Sequence, residues 1–184
     1  TNHRLFVSDS NNNRVLVFNL DGGNNLLDRN ADFVLGQYSF SITSANQGGA
    51  PSNATLNAPS GLFYDAVLQR LYVADTGNNR VLVFDTSITE NGQAADLVLG
   101  QPNFTSSGPS LTRSGLASPE AVSVNTSTGA VAVADRDNNR VLVWSSTPNT
   151  NNKTADFVLG QAGFTSGSFG TSASALHTPR GVGY

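Results

Sequence analysis

The chain has 184 residues, enough for one domain, with a formal net charge of -3 and only 12% of its residues charged. Lys153 is the single lysine, and the remaining Lys+Arg count of 10 - 1 = 9 is arginine scattered among acids, so there is no basic stripe of the kind nucleic acid requires. Absence of cysteine excludes disulfides and thiolate metal sites, and no apolar run approaches the roughly 18 residues that cross a bilayer.

Residues 4–18 read RLFVSDSNNNRVLVF, two β-rich runs joined by an Asn-rich turn. A third run, ADFVLGQ at 31–37, leads into a Ser/Thr/Asn/Gly-rich insert at 38–55. The next stretch opens on Leu56 to Pro59 and continues with GLFYD at 61–65. RLYVADTGNNRVLVF at 70–84, ADLVLGQ at 95–101 and a second insert at 102–115 follow. The order then recurs: Leu116 to Pro119, AVSVN at 121–125, AVAVADRDNNRVLVW at 130–144, ADFVLGQ at 155–161 and an insert at 162–175. Leu176 to Pro179 and GVGY at 181–184 begin the cycle once more.

Three blocks in one order at one period identify an internal repeat. Pro59, Pro119 and Pro179 lie 60 residues apart, while Arg14, Arg80 and Arg140 are spaced by 66 and 60. Each unit holds four short strands, named a to d from the proline onward, and no segment has helical periodicity. Strand c of the middle unit, Val81-Leu82-Val83-Phe84, is apolar at successive positions, as a strand covered on both faces must be. Leu16, Val17, Leu142 and Val143 are therefore expected to be as buried as Leu82, Val83 and Phe84. Radially repeated four-stranded sheets make a β-propeller. The expected fold is all-β, three four-stranded blades with units at about 1–55, 56–115 and 116–175, and 176–184 supplying the first strand of a further blade.

The stretch from strand b to strand c, LFVSDSNNNRV, LYVADTGNNRV and VAVADRDNNRV, resembles the NHL repeat. Each copy keeps Asp and Arg five residues apart, and the middle copy is the nearest match. The resemblance implies a six-bladed ring, of which these units would be half. It also implies a range of roles, from protein-binding, RNA-binding and sensor modules to related peptide-amidating lyases that share the architecture. The repeat here is longer than a bare blade of roughly 40–45 residues, and the surplus lies in the three inserts.

Asp9, Asp75 and Asp135 end strand b, and Arg14, Arg80 and Arg140 begin strand c. A ring of carboxylates could hold a cation, but recurrence in every unit favours a structural pairing of Asp, Arg and the Asn-rich turn. Asp32, Asp96 and Asp156, with Gln37, Gln101 and Gln161, bracket strand d and are expected to hydrogen-bond between blades. His3 and His177, the only histidines, are too few for a metal site of the lyase type. No nucleophile elbow or phosphate-binding glycine loop is present. No catalytic residue, metal ligand or cofactor is assigned. Asn53, Asn103, Asn125 and Asn152 stand in N-x-S/T sequons and are candidate glycosylation acceptors, Asn53 and Asn103 being expected as the most accessible.

The expected function is a non-catalytic propeller scaffold for extracellular or cell-surface structure and adhesion, meeting a protein or glycan through its insert-bearing face. The alternative is a metal-dependent propeller enzyme of the lyase or lactonase class. The composition and the start at Thr1 rather than methionine carry the expectation of an extracellular or surface location. Strand a of one copy is expected to pair with strand b of the next, giving a closed dimer or a filament, unless a longer chain supplies further blades.

Overall fold

The computed structural model describes residues 3–184, and its regular structure is β-strand apart from short 3-10 turns. The first sheet joins β1 (Arg4–Asp9), β2 (Arg14–Asn19) and β3 (Phe33–Leu35). The second joins β4 (Pro59–Asp65), β5 (Arg70–Asp75), β6 (Arg80–Asp85) and β7 (Leu97–Leu99). The third joins β8 (Pro119–Asn125), β9 (Ala130–Asp135), β10 (Arg140–Trp144) and β11 (Phe157–Leu159). Within each sheet neighbouring strands are consecutive in sequence and antiparallel, so every connection within a sheet is local, and the inserts lead from one sheet to the next.

The turn between the second and third strands of a full sheet has the same chemistry in all three units. A short 3-10 turn, Thr76–Asn78 in the second sheet, ends on Asn79 at φ 54°, in the left-handed region. Asn13 and Asn139 close the equivalent turns at φ 54° and 52°. Asn reaches that region more readily than most residues, because its short side chain can bond locally. At the far end of the outer strand, Gly100 takes φ +91°, and a Cβ there would lie 2.5 Å from Cδ1 of Leu116. The glycine of V-L-G and the leucine of L-x-x-P thus recur together because one packs on the other's backbone.

Two of the three sheets have four strands. The first has three, since no strand precedes β1 among the described residues. GVGY at 181–184, expected as the first strand of a further blade, forms no ladder, because no second strand lies alongside it. Its one recorded backbone tie is Tyr184 N–H donating to Ser123 Oγ at 3.1 Å.

Residues alternate between two cores. Val81 and Val83 of β6, with Tyr72 and Leu99, pack on Val122, Val131, Val133, Leu142 and Trp144 of the third sheet. Leu82 and Phe84, with Leu71, Val73 and Val98, pack on Val15, Val17 and Leu35 of the first. The central sheet is therefore apolar on both faces and covered on both. Strand c follows the expected burial at Leu82, Val83, Phe84, Val17 and Leu142, but Leu16 and Val143 are only half-buried. They belong to the faces of the outer sheets that point away from the central one. Trp144, buried at the end of β10, donates its indole N–H to the Lys153 carbonyl at 2.9 Å.

Val83→Asp is expected to bury an uncompensated carboxylate and to cost several kcal/mol, whereas Val143→Asp, on the half-open face, costs much less. Urea melts of the two variants check this; a Val83→Asp protein that melts like the parent contradicts the two-faced packing.

Candidate functional site: the turn-and-insert edge

Asp75 and Arg80 face each other across the last rung of the β5–β6 ladder, and both side chains are fully buried. Arg80 Nε donates to Asp75 Oδ2 at 2.7 Å, and Asn78 Nδ2 donates to the same oxygen at 2.8 Å. The other carboxylate oxygen accepts the Asn57 backbone N–H at 2.7 Å. Arg80 turns its two terminal nitrogens to main-chain carbonyls: Nη1 donates to Phe104, and Nη2 to Ser52 and Thr55, both at 2.9 Å. The third sheet repeats the set. Asp135 accepts from Arg140, Asn138 and the Ala117 N–H, while Arg140 donates to the carbonyls of Phe164, Thr112 and Gly115. A buried pair in which each guanidinium nitrogen and each carboxylate oxygen has a partner is the arrangement in which burial of charge is tolerated.

In the first sheet the set is incomplete. Arg14 Nε donates to Asp9 Oδ2 at 2.7 Å and Nη1 to the Phe40 carbonyl. No described residue donates a backbone N–H to Asp9 or offers carbonyls to Arg14 Nη2. Burial pushes the Asp75 and Asp135 carboxyls up from the usual range, and the surrounding donors offset this only in part. At Asp9 burial pushes the same way, but Asn12 and Arg14 outweigh it and the carboxyl lies below the usual range.

The inserts fold back on these turns. Gln37 donates through Nε2 to the carbonyls of Asn13 and Ser44, Gln101 to Asn79 and Gly108, and Gln161 to Asn139 and Ser168. Each glutamine thus ties its own sheet's turn to its own insert, and the bonding expected between sheets is not made. Asp32, Asp96 and Asp156 likewise accept backbone N–H groups of Asn19, Asp85 and Ser145, closing their own sheets. These side chains sit at strand ends, within reach of their own connections.

Beside bonds such as those from Arg4 to the Thr86 and Ile88 carbonyls and from Thr76 to the Pro119 carbonyl, recurring polar links between sheets come from asparagines that sequence reasoning had treated as turn formers only. Asn79 Nδ2 donates to the Ser107 carbonyl of its own insert, and its Oδ1 accepts the N–H of Ser118, which opens the third sheet's segment. Asn13 does the same with Thr43 and Ala58, and Asn139 with Gly167 and Thr178. Ala58, Ser118 and Thr178 all take positive φ, at 46°, 49° and 45°, each directly before a proline. That conformation is unfavourable for a residue with a Cβ, and the carboxamide bond helps hold it. A second link lies at the outer strands, where Asn91 Oδ1 accepts the Val34 N–H and Asn151 Oδ1 accepts the Val98 N–H. The signal for both was the fixed position of these asparagines, but nothing in sequence says where a carboxamide points.

The family model for the NHL repeat matches residues 56–84 and 116–144, which run from the L-x-x-P block to the third strand of the second and third sheets. The chain carries NHL repeats. No curated protein matches the chain. Among solved structures it is similar to a protein of unknown function from Desulfotomaculum acetoxidans, at 16% identity and a TM-score of 0.47, over 78% of this chain. It spans only 34% of that protein.

The candidate glycosylation acceptors are unequally placed. Asn103 is exposed, with Oδ1 capping the N–H groups of Thr105 and Ser106, whereas Asn53, Asn125 and Asn152 are half-buried. His177, in the loop after the third insert, stacks on Phe169 at 4.6 Å between ring centres. No cluster of three or more His, Cys, Asp or Glu side chains able to hold a metal occurs among the described residues. Nor is any described helix long and apolar enough to cross a membrane.

Asp75→Asn is expected to destabilise the fold by about 3 kcal/mol or more, because it leaves Arg80 buried without its counter-charge. Asp9→Asn, in the half-open copy of the same site, is expected to cost about 1 kcal/mol or less in the isolated chain. Equal losses in urea titrations of the two variants would contradict the difference drawn between them.

Proposed function

We propose that the three sheets are consecutive blades of a β-propeller of the six-bladed kind and that the chain is a non-catalytic scaffold, working at or outside the cell surface. The insert-bearing edge is its binding face, taking a protein or a glycan. One observation carries this reading: in all three repeats a glutamine and an asparagine pin a long polar insert against the left-handed turn. Polar loops fixed on a rigid sheet framework are where recognition is usually built. The Asp–Arg pairs serve that framework: their donors and acceptors are spent on each other and on the backbone, which leaves little with which to hold an ion.

Metal analysis of the purified protein tests the scaffold reading. Bound calcium or zinc is expected well below one equivalent per chain after dialysis. A stoichiometric, tightly held ion would replace the scaffold reading with that of a propeller enzyme of the lyase or lactonase class.

A further inference from the structure

The two junctions between sheets differ on the edge away from the inserts. At the first, the Arg4 side chain plugs the gap. Its Nε donates to Asn19 Oδ1 at 3.1 Å, and Nη1 and Nη2 donate to the Thr86 and Ile88 carbonyls, both at 2.7 Å. The guanidinium also lies 5.7 Å from the centre of the Phe33 ring. At the second junction the strand register puts Arg70, Asp85 and Leu97 in the places of Arg4, Asn19 and Phe33. Ser146 and Pro148 stand 60 residues after Thr86 and Ile88. Arg70 makes none of the corresponding bonds among the described residues. A hollow of about 250 Å³ remains, lined by Arg70, Val83, Asp85, Asp96 and Leu97 of the second unit and closed by Pro148 and Asn149 of the third.

The second sheet also brings an unsatisfied hydroxyl to this place. Tyr72 is 1% exposed, yet its hydroxyl has no hydrogen-bond partner. It lies opposite Val83 in the ladder and two residues from Arg70, so its side chain stands on the face that lines the hollow. The matching residue beside the plugged gap is Phe6, which brings no hydroxyl there. Burial pushes the Tyr72 phenol up from its ordinary value, and the nearby Arg70 guanidinium offsets this only in part, so the group keeps its proton and can donate. An unpaired buried hydroxyl is costly, and a bound group that pairs with it removes that cost. The two carboxylates have acceptors to spare. Asp85 uses Oδ1 for the Ser87 N–H and hydroxyl, and Asp96 uses Oδ2 for the Asp85 N–H, which leaves one oxygen of each without a partner among the described residues.

The hollow thus combines a guanidinium and a phenol as donors, two carboxylates as acceptors, and an apolar floor of Val83, Leu97 and Pro148. An anion placed there meets two carboxylates, and a cation meets the guanidinium. A neutral molecule with hydroxyls on a carbon frame satisfies both sets at once. The volume lies below the roughly 300–1,000 Å³ of drug-sized sites, which leaves room for one small ring. We propose that this hollow binds one neutral, hydroxyl-rich molecule of monosaccharide size, which accepts from Arg70 and Tyr72, donates to Asp85 and Asp96, and rests its C–H face on Leu97 and Pro148. Both walls belong to a junction inside the array, so the site is the same whatever adjoins the first and third sheets. It lies on the edge opposite the inserts, so it holds or fails independently of the binding face proposed above.

The test titrates the 15N-labelled 184-residue chain with D-glucose, D-galactose, D-mannose and N-acetyl-D-glucosamine, each to about 50 mM, ample for a millimolar Kd. Saturable shifts of the Val83, Leu97 and Asn149 amides are expected with at least one of them. Tyr72→Phe is expected to weaken that sugar about tenfold, and Leu97→Phe to abolish its binding by filling the hollow. The first sheet carries phenylalanine at both positions, as Phe6 and Phe33, so the variants are expected to fold, with the rest of the amide spectrum unchanged. The proposal is overturned if no sugar shifts these amides, or if glycine or acetate binds there more tightly under the same conditions. Sugar binding that neither variant changes overturns it too, as do shifts confined to the insert-bearing edge, which would belong to the other face. None of these outcomes alters the metal content, so the scaffold reading is tested separately.

Discussion

A β-sheet whose strands are apolar at successive positions has no side to show to water, and the rest of this structure answers to that constraint. β6 sends Val81 and Val83 into one core and Leu82 and Phe84 into the other. Both faces of the second sheet must be covered, and the first and third sheets do so. Each of those has the same two-faced pattern, so the need for cover passes outward instead of being met. This is the behaviour of a repeat array, where each unit is stabilised by its neighbours and the terminal units are short of one.

Polar chemistry in the array serves its edges. The Asp–Arg pair of each complete sheet draws its last partners from the insert that precedes the sheet, so the pair is finished only when two consecutive units are in place. The left-handed asparagines add a second dependence by reaching forward to the strained residue before the next unit's proline. Apolar stacking supplies the attraction between units, and these bonds set their register.

Much of this was legible in the sequence for definite reasons. Four apolar residues in a row in strand c signalled a sheet covered twice, and Asp and Arg five apart, flanking an Asn-rich turn, placed the two ends of one ladder rung opposite each other. Other features were not legible. Gln37, Gln101 and Gln161 recur as faithfully as the ion pair, yet recurrence does not distinguish a bond within a sheet from one between sheets. The positive φ at Ala58, Ser118 and Thr178 runs against the usual preference before proline and is made tolerable by bonds from 39 to 45 residues away in sequence. Val143 and Leu16 read as core from the pattern alone, because the pattern of a terminal repeat does not differ from that of an inner one.

Native-state hydrogen exchange, followed strand by strand, tests the central claim most directly, since amide protection reports the local free energy of opening. At low concentration the amides of β5 and β6, covered on both faces, should be the best protected, with β1, β2, β10 and β11 exchanging faster. Equal protection of all three sheets in dilute solution would contradict the account.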